Sequence, residues 1–155
     1  MPKLSLFSNN FPDFFIVERS GDVDISKIET DEDRRNATFE WTGPALDFGE
    51  TGRLVRATLP LGFCLRIDAL EGFRVVGKFF TGIIDPDVAE EVREDSTFVL
   101  ERAEIDPNQA SFRSVRFPDR FLRHRDFHLF AEPVNTPGEL QDACFRIAPP
   151  LSSEA

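Results

Sequence analysis

The sequence has few of the residues on which metal sites, disulfides and sugar-stacking platforms depend. Its 155 residues include no tyrosine, one tryptophan, two cysteines and two histidines. Cys64 and Cys144, together with His124 and His128, show no spacing typical of zinc ligands, so neither a metal nor a cofactor is predicted. We expect two buried free thiols, and the alternative is a disulfide that closes a long loop.

Long apolar runs are also missing. No segment approaches the roughly 18 apolar residues of a membrane-spanning helix, and the N-terminal segment lacks the apolar core of a signal peptide. We therefore expect no membrane span, and a cytoplasmic location unless a leader has been removed. The net charge of −10, from 28 acidic and 18 basic residues, repels phosphate backbones and anionic lipids. Nucleic acid and membranes are therefore not expected as partners.

One proline-centred segment occurs three times. Each copy has an aromatic residue three positions after the proline and closes with a short Asx-x-x-Phe signature. The prolines are Pro12, Pro60 and Pro118, the post-proline aromatics are Phe15, Phe63 and Phe121, and the closing aromatics are Phe39, Phe98 and Phe145. The proline and the closing Phe are 27 residues apart in copies one and three (39 − 12, 145 − 118) and 38 apart in copy two (98 − 60). The extra 11 residues fall in the acidic segment 81–95, where we predict a lengthened surface loop that can include one helical turn.

Short alternating runs between frequent turn residues predict an all-β chain. Each copy is too small to bury its own apolar face, so the three must share one core. The prediction is a single β-trefoil domain over residues 1–155, with pseudo-threefold repeats at about 1–48, 49–107 and 108–150. The two sets of aromatic residues are expected to form matching core layers rather than a ligand platform, for which Trp41 is the one typical residue.

The third copy resembles the arabinofuranosidase B (AbfB) domain, a carbohydrate-binding module. It reads SFRSVRFPDRFLRHRDFHLFAEP and then QDACF, close to the family's Ser-Phe, Asn-Phe-Pro, Arg-His, Asn-Phe and Asp-Ala-x-Phe elements. The resemblance implies a β-trefoil with up to three shallow pockets for arabinofuranosyl side chains, each using the His of Arg-His and the Asp of the closure. In this chain those residues are His124 and Asp142. The corresponding pairs are Glu18 with Asn36 and Arg66 with Asp95, so one pocket of the family type is expected.

The predicted ligand-binding set is completed by three neighbours of His124, namely Arg123, Arg125 and Asp126. Asp126 replaces the family's Asn and Phe121 replaces its Tyr, which leaves the sugar specificity open. Two structural alternatives also stay open: His124 bonded to a backbone carbonyl, and Asp142 capping its own turn. The surrounding arginines form either a solvated face paired with Asp119, Asp126 and Glu132 or an anion-recognition patch.

Three functions remain in competition. The first is a non-catalytic module or lectin that binds a saccharide or another small polar ligand. The second is a trefoil that binds a protein partner, with segment 81–95 as part of the contact. The third is a small-molecule isomerase or cyclase that uses His124. No Gly-x-Ser-x-Gly motif, phosphate loop or Cys-His-Asn set is present, and abundant carboxylates alone do not define a glycosidase pair, so no catalytic residue is predicted.

Overall fold

The computed structural model describes residues 2–79 and 85–154. Within these residues it contains thirteen β-strands, three α-helices and one 3₁₀ turn (Ala69–Glu71). The strands are β1 (Lys3–Ser8), β2 (Phe14–Arg19), β3 (Asp22–Lys27), β4 (Phe39–Trp41), β5 (Thr51–Gly52), β6 (Leu54–Arg56), β7 (Phe63–Asp68), β8 (Arg74–Phe79), β9 (Phe98–Arg102), β10 (Ala110–Ser114), β11 (Phe121–Arg125), β12 (His128–Glu132) and β13 (Phe145–Ala148). The helices are α1 (Asp31–Asn36), α2 (Pro86–Asp95) and α3 (Pro137–Asp142).

The strands form a closed ring and three hairpins, which is a β-trefoil. In the ring β1 pairs with β4 and β13, β4 with β6, β5 with β9, and β10 with β9 and β13. The ring is completed because β5 and β6 are consecutive segments separated by a single residue, Arg53. The hairpins are β2–β3, β7–β8 and β11–β12. The first and last described strands, β1 and β13, are antiparallel neighbours in the ring, with Leu6 opposite Ile147. The predicted fold class is therefore confirmed.

The three hairpins are joined to one another by corresponding backbone hydrogen bonds. In each bond an amide of one hairpin donates to a carbonyl at the tip of another, so the bonds form a cycle. The donors and acceptors are Ile25 N and Phe127 O (2.8 Å), Gly77 N and Gly21 O (2.7 Å), and Ala131 N and Phe73 O (2.8 Å). This cycle places the three repeats in corresponding positions around one end of the ring.

A helix ends at the first residue of each closing signature, namely at Asn36, Asp95 and Asp142. The starts of α1 and α3 are fixed by capping boxes at Thr30 and Thr136. These short helices carry the closing Asx side chains to the outside of the ring, where they meet the second strand of each repeat.

The prediction of an extended loop over residues 81–95 was wrong for its larger part. Residues 86–95 form α2, because Asp85 caps the helix through Asp87 N and Pro86 occupies its first turn. Val92 and Asp95 are the buried residues of this helix. Residues 81–84 lie outside the described residues.

The core is lined by one of the two predicted aromatic layers. Phe39, Phe98 and Phe145 are fully buried, as predicted. Phe15, Phe63 and Phe121 are only half-buried, and their assignment to the core was wrong. The next residue in each strand, Ile16, Cys64 or Leu122, takes the inward position instead, because neighbouring side chains of a strand point to opposite faces.

Trp41 and the two cysteines are interior residues. Trp41 is fully buried and donates from Nε1 to the carbonyl of Ala45 (3.0 Å), so it is not a sugar-stacking platform. Cys64 and Cys144 are free and buried, and burial raises the pKa of each thiol to about 11. Over the described ranges there is no cluster of metal-ligating side chains and no helix long and apolar enough to span a membrane.

Candidate functional site

His124 and Asp142 lie together on the outside of the ring. His124 projects from β11 and Asp142 is the last residue of α3, so a strand and a helix end supply one group each. The distance from His124 Nε2 to Asp142 Oδ1 is 3.5 Å. The His124 side chain is about 5% exposed and that of Asp142 about 21%, so the carboxylate is the more accessible member of the pair.

A third residue, Asn10, joins the pair and was not predicted. Its Oδ1 lies 2.8 Å from His124 Nε2, and its Nδ2 donates to Asp142 Oδ1 at 2.9 Å. Ser8, at the end of β1, adds its hydroxyl 2.8 Å from Asn10 Oδ1 and 3.1 Å from His124 Nε2. The site is therefore built from the first and third repeats, across the seam where the two ends of the chain meet.

The sequence did contain a signal for Asn10. The family's Asn-Phe-Pro element is Arg116-Phe117-Pro118 in the third copy, but it is intact in the first copy as Asn10-Phe11-Pro12. The element belongs structurally to the site of the preceding repeat in the ring. Asn10 therefore lies in a different copy of the repeat from the His124 and Asp142 that it joins.

Arg123 fixes the position of the Asp142 carboxylate from the buried side of the site. Its Nη2 donates to Asp142 Oδ2 at 2.6 Å and its Nε donates to the carbonyl of His124 at 3.2 Å. The guanidinium is about 9% exposed and also lies 3.6 Å from Glu132 and from Glu139. Neither structural alternative describes this arrangement, since His124 and Asp142 make side-chain contacts rather than backbone caps.

The imidazole of His124 is kept neutral. Burial lowers its pKa below the ordinary 6.5, and nearby Arg123 lowers it further, while the Asp142 carboxylate acts in the opposite direction. Asn10 Nδ2 faces Asp142, so Asn10 Oδ1 faces His124 and accepts the Nε2 proton. In this tautomer Nδ1 is an acceptor, and it makes no hydrogen bond within the described part of the chain.

Two phenylalanines form an apolar rim beside these polar groups. Phe11 is 44% exposed and its ring centroid lies 5.4 Å from that of His124. Phe127 is 51% exposed, and its centroid lies 6.2 Å from that of Phe11. Phe127 is held outward by the β11–β12 turn, in which Asp126 and Phe127 both have positive φ (53° and 66°), an unusual conformation for a bulky side chain. Phe11 and Phe127 belong to neither of the two predicted core layers, and no role was predicted for them.

The structure does not bring Arg125 and Asp126 into this cluster. Arg125 forms two 3.1 Å contacts with Glu132 and covers the ring of Phe130, on the other side of its strand. Asp126 is exposed in the turn and has no side-chain hydrogen bond to any described residue. Arg123, by contrast, contacts both His124 and Asp142.

The arginines around the site all have partners, but mostly not the predicted ones. Only Glu132 of the three expected acids is used, and the others are replaced by residues from distant segments. The contacts are Arg113 with Glu101 (2.6 Å), Arg116 with Asp95 (2.7 Å), Arg120 with the Ala131 carbonyl (3.1 Å), Arg123 with Asp142 (2.6 Å) and Arg125 with Glu132 (3.1 Å).

The corresponding position in the first repeat is filled by a buried ion pair. Glu18 occupies the place of His124 and Arg56 the place of Ser8, and Arg56 Nη1 lies 3.3 Å from Glu18 Oε1. Both side chains are almost completely buried (0% and 4% exposed). Glu18 also packs on Gly77, where an added Cβ would lie 2.6 Å from Oε2. No imidazole or Asp is available here.

The second repeat is closed by a three-membered charge cluster. Arg66 takes the place of His124, Asp95 that of Asp142, and Arg116 that of Asn10. Asp95 Oδ2 accepts from Arg66 Nη2 at 3.2 Å, and Asp95 Oδ1 accepts from Arg116 Nη1 at 2.7 Å. The Asp95 side chain is 4% exposed. Its carboxylate is therefore bonded on both sides and buried.

Known structures identify the class of fold. A designed threefold-symmetric protein, ThreeFoil, matches at a TM-score of 0.63 and 9% identity, with 94% of this chain and 97% of that chain covered. The BEL β-trefoil matches at 0.67 and 13% identity, covering 95% and 92%. An arabinofuranosidase complexed with arabinofuranosyl-α-1,2-xylobiose matches at 0.74 and 20% identity, covering 98% of this chain and 32% of that chain. At these identities the likeness establishes the β-trefoil fold.

The family comparison adds sequence evidence. The α-L-arabinofuranosidase B (AbfB) domain model matches residues 82–147, which contain His124 and Asp142, and the predicted resemblance is confirmed. No curated protein sequence matches the chain. The chain spans about a third of the length of the arabinofuranosidases whose structures it matches.

Proposed function

We propose that the protein is a non-catalytic saccharide-binding module that holds one arabinofuranosyl or closely related sugar at the His124–Asn10–Asp142 site. The observation that carries the proposal is the convergence of an imidazole, an amide and a carboxylate beside exposed phenylalanines, within a trefoil whose third repeat matches the AbfB model. The two other repeats place ion pairs at this position.

The site retains unused hydrogen-bonding capacity for sugar hydroxyls. His124 Nδ1 is an open acceptor, Asn10 Nδ2 has a second proton, and the Asp142 carboxylate accepts only two close donors among about four available directions. A sugar hydroxyl both donates and accepts, so two neighbouring hydroxyls can bind to this mixed set. A purely anionic or purely cationic ligand would leave part of it unpaired.

Phe11 and Phe127 complete the site on its apolar side. Ligand pockets are mostly apolar with a few polar groups that fix orientation. The carbon face of a sugar ring can pack on these two rings while its hydroxyls face Asn10 and Asp142. Three hydrogen bonds of about 0.5–1.5 kcal/mol each favour weak binding, with a dissociation constant near the millimolar range.

The same geometry argues against glycoside hydrolysis at this site. Retaining and inverting glycosidases place two carboxyl groups on opposite sides of the bond that is cleaved. Here the direct side-chain partners of His124 are a hydroxyl, an amide and one carboxylate. Asp142 is in turn fixed by Arg123, an arrangement that suits a rigid hydrogen-bond acceptor.

Titration of the intact chain with arabinoxylan and with arabinofuranosyl oligosaccharides tests the proposal. We expect His124→Ala and Asp142→Asn each to weaken binding about tenfold, because each removes a hydrogen-bonding group from a largely buried network. His128→Ala is the matched control, since His128 is the other histidine and pairs with Asp24 (2.6 Å) on the hairpin surface. Absence of saccharide binding by the unmodified protein, or equal weakening by all three variants, would contradict the proposal.

A further inference from the structure

A cavity lies beside the buried ion pair of the first repeat. It has a volume of about 240 Å³, below the roughly 300–1,000 Å³ typical of drug-sized ligands, so it suits a group no larger than one sugar ring. Its polar lining consists of Arg19, Ser20, Glu32, Arg35, Asn36 and Arg56. The lining thus carries three guanidinium groups and one carboxylate, and each guanidinium group also has a carboxylate partner outside the lining.

Asn36 is the clearest indication of a ligand in this cavity. It is the last residue of α1 and only 5% exposed, and its side chain makes no hydrogen bond to any described residue. Its Oδ1 and Nδ2 are not enclosed within the protein, so both atoms are available to a ligand that enters the cavity. The corresponding Asp142 of the third repeat, by contrast, is bonded to both Asn10 and Arg123.

The three arginines supply donors rather than acceptors. Arg56 has five N–H groups and uses four, on Thr58 O, Glu18 O, Glu18 Oε1 and Leu59 O, so one Nη2 proton remains. Its position is fixed, because its side chain is almost completely buried.

Arg19 and Arg35 can each turn toward a ligand. Each makes one long ion-pair contact at the surface, to Asp33 (3.3 Å) and Glu154 (3.4 Å), and Arg19 also donates to Ser26 Oγ (3.1 Å). The side chains of Arg19 and Arg35 are 40% and 35% exposed. Exposed pairs of this kind contribute little stability. Asp33 would keep its other partners, since its Oδ2 accepts from the backbone amides of Glu29 (2.9 Å) and Thr30 (3.1 Å).

We propose that this cavity binds a carboxylate-bearing ligand, with the carboxylate between Arg19, Arg35 and the Asn36 amide. Guanidinium groups match the planar, two-oxygen geometry of a carboxylate. Two sources share this chemistry, a uronic-acid residue of a polysaccharide and a free small carboxylate. The proposal does not depend on the third-repeat site, which has a different set of groups.

The test follows side-chain amide signals of the ¹⁵N-labelled intact chain by NMR during titration with sodium glucuronate, sodium acetate and glucose. Glucuronate should shift the Asn36 amide, and glucose, which has a similar ring but no carboxylate, should not. A weaker response to acetate than to glucuronate indicates the uronic-acid source, and an equal response indicates a simple carboxylate site. The Asn10 amide reports the third-repeat site in the same spectra, so failure of one proposal is distinguishable from failure of the other.

Four variants sharpen the result. Asn36→Asp keeps the shape but adds a negative charge, and should weaken glucuronate binding about tenfold or more. Arg19→Gln and Arg35→Gln should each weaken it about two- to fivefold. Arg34→Gln is the matched control, because Arg34 lies in the same helix and pairs with Asp31 outside this cavity. The proposal would be overturned if the Asn36 amide signal shifted with neither carboxylate, or if it shifted equally with glucose. It would also be overturned if Arg19→Gln and Arg35→Gln bound glucuronate as tightly as Arg34→Gln.

Discussion

The first and third repeats use the same position of the trefoil in opposite ways. In the third, His124 forms a network with Asn10 and Asp142 that retains free donors and acceptors. In the first, Glu18 stands in the place of His124 and Arg56 in the place of Ser8, and these two form a buried ion pair. Since the backbone is the same, side-chain identity decides whether this position serves stability or offers groups to a ligand.

The largest expected effect comes from breaking the ion pair of the first repeat. Glu18→Ala should lower the free energy of unfolding by about 3–5 kcal/mol, because it leaves the charge of Arg56 buried without its partner. Chemical denaturation monitored by circular dichroism measures the change. Combining it with Arg56→Met removes the unpaired charge and should restore part of the loss. A single variant as stable as the original would show that the pair has no structural role.

A second experiment converts the second repeat to the residues of the third. Ser114 and Asp95 already match Ser8 and Asp142, so Arg66→His with Arg116→Asn completes the set. We expect the number of saccharide molecules bound per chain to rise from one to two, measured by titration calorimetry or native mass spectrometry.

The control for this conversion adds Asp142→Asn, which should weaken binding at the third repeat about tenfold and leave the second repeat as the tighter site. If the double variant is folded and still binds one saccharide, the four polar residues are not sufficient for binding and the role of Phe11 and Phe127 becomes decisive.

The smallest expected effect concerns pH. The pKa of His124 in the folded chain lies below 6.5, so the unfolded chain takes up this proton first as the pH falls. The stability that His124 contributes is fully present above pH 6.5 and is lost as the pH decreases through the folded-state pKa. Saccharide affinity should likewise be constant above pH 6.5 and decrease in acid, when Nδ1 becomes protonated.

Denaturation and binding curves between pH 4 and 8 measure both quantities, with His124→Gln as the comparison. The variant should lose the part of the pH dependence that belongs to this residue. Identical profiles for the variant and the original would show that His124 has no part in it.

Much of the fold was predictable because the repeat places similar residues in similar environments. The closing Phe39, Phe98 and Phe145 were assigned to the core correctly, since each begins a ring strand that follows a helix. The post-proline aromatics were assigned wrongly, because a repeat signature cannot distinguish the inward from the outward face of a strand. Segment 86–95 was mistaken for a loop, although Asp85-Pro86 is a helix start signal.

The candidate site was predictable only within one repeat. The third copy contains Arg123, His124 and Asp142 within 20 residues of each other, and their side chains are in contact in the structure. Asn10 is 132 residues from Asp142, and only the closure of the ring brings the two side chains together. Arg125 was included because it adjoins His124 in sequence, but alternation along the strand turns it to another surface.

The pairing of β1 with β13 delays completion of the third-repeat site during synthesis of this domain. Asn10 is translated 132 residues before Asp142, so the network cannot assemble until α3 has left the ribosome. A sugar that binds there would hold the first and third repeats together and oppose separation of β1 from β13, in proportion to its occupancy.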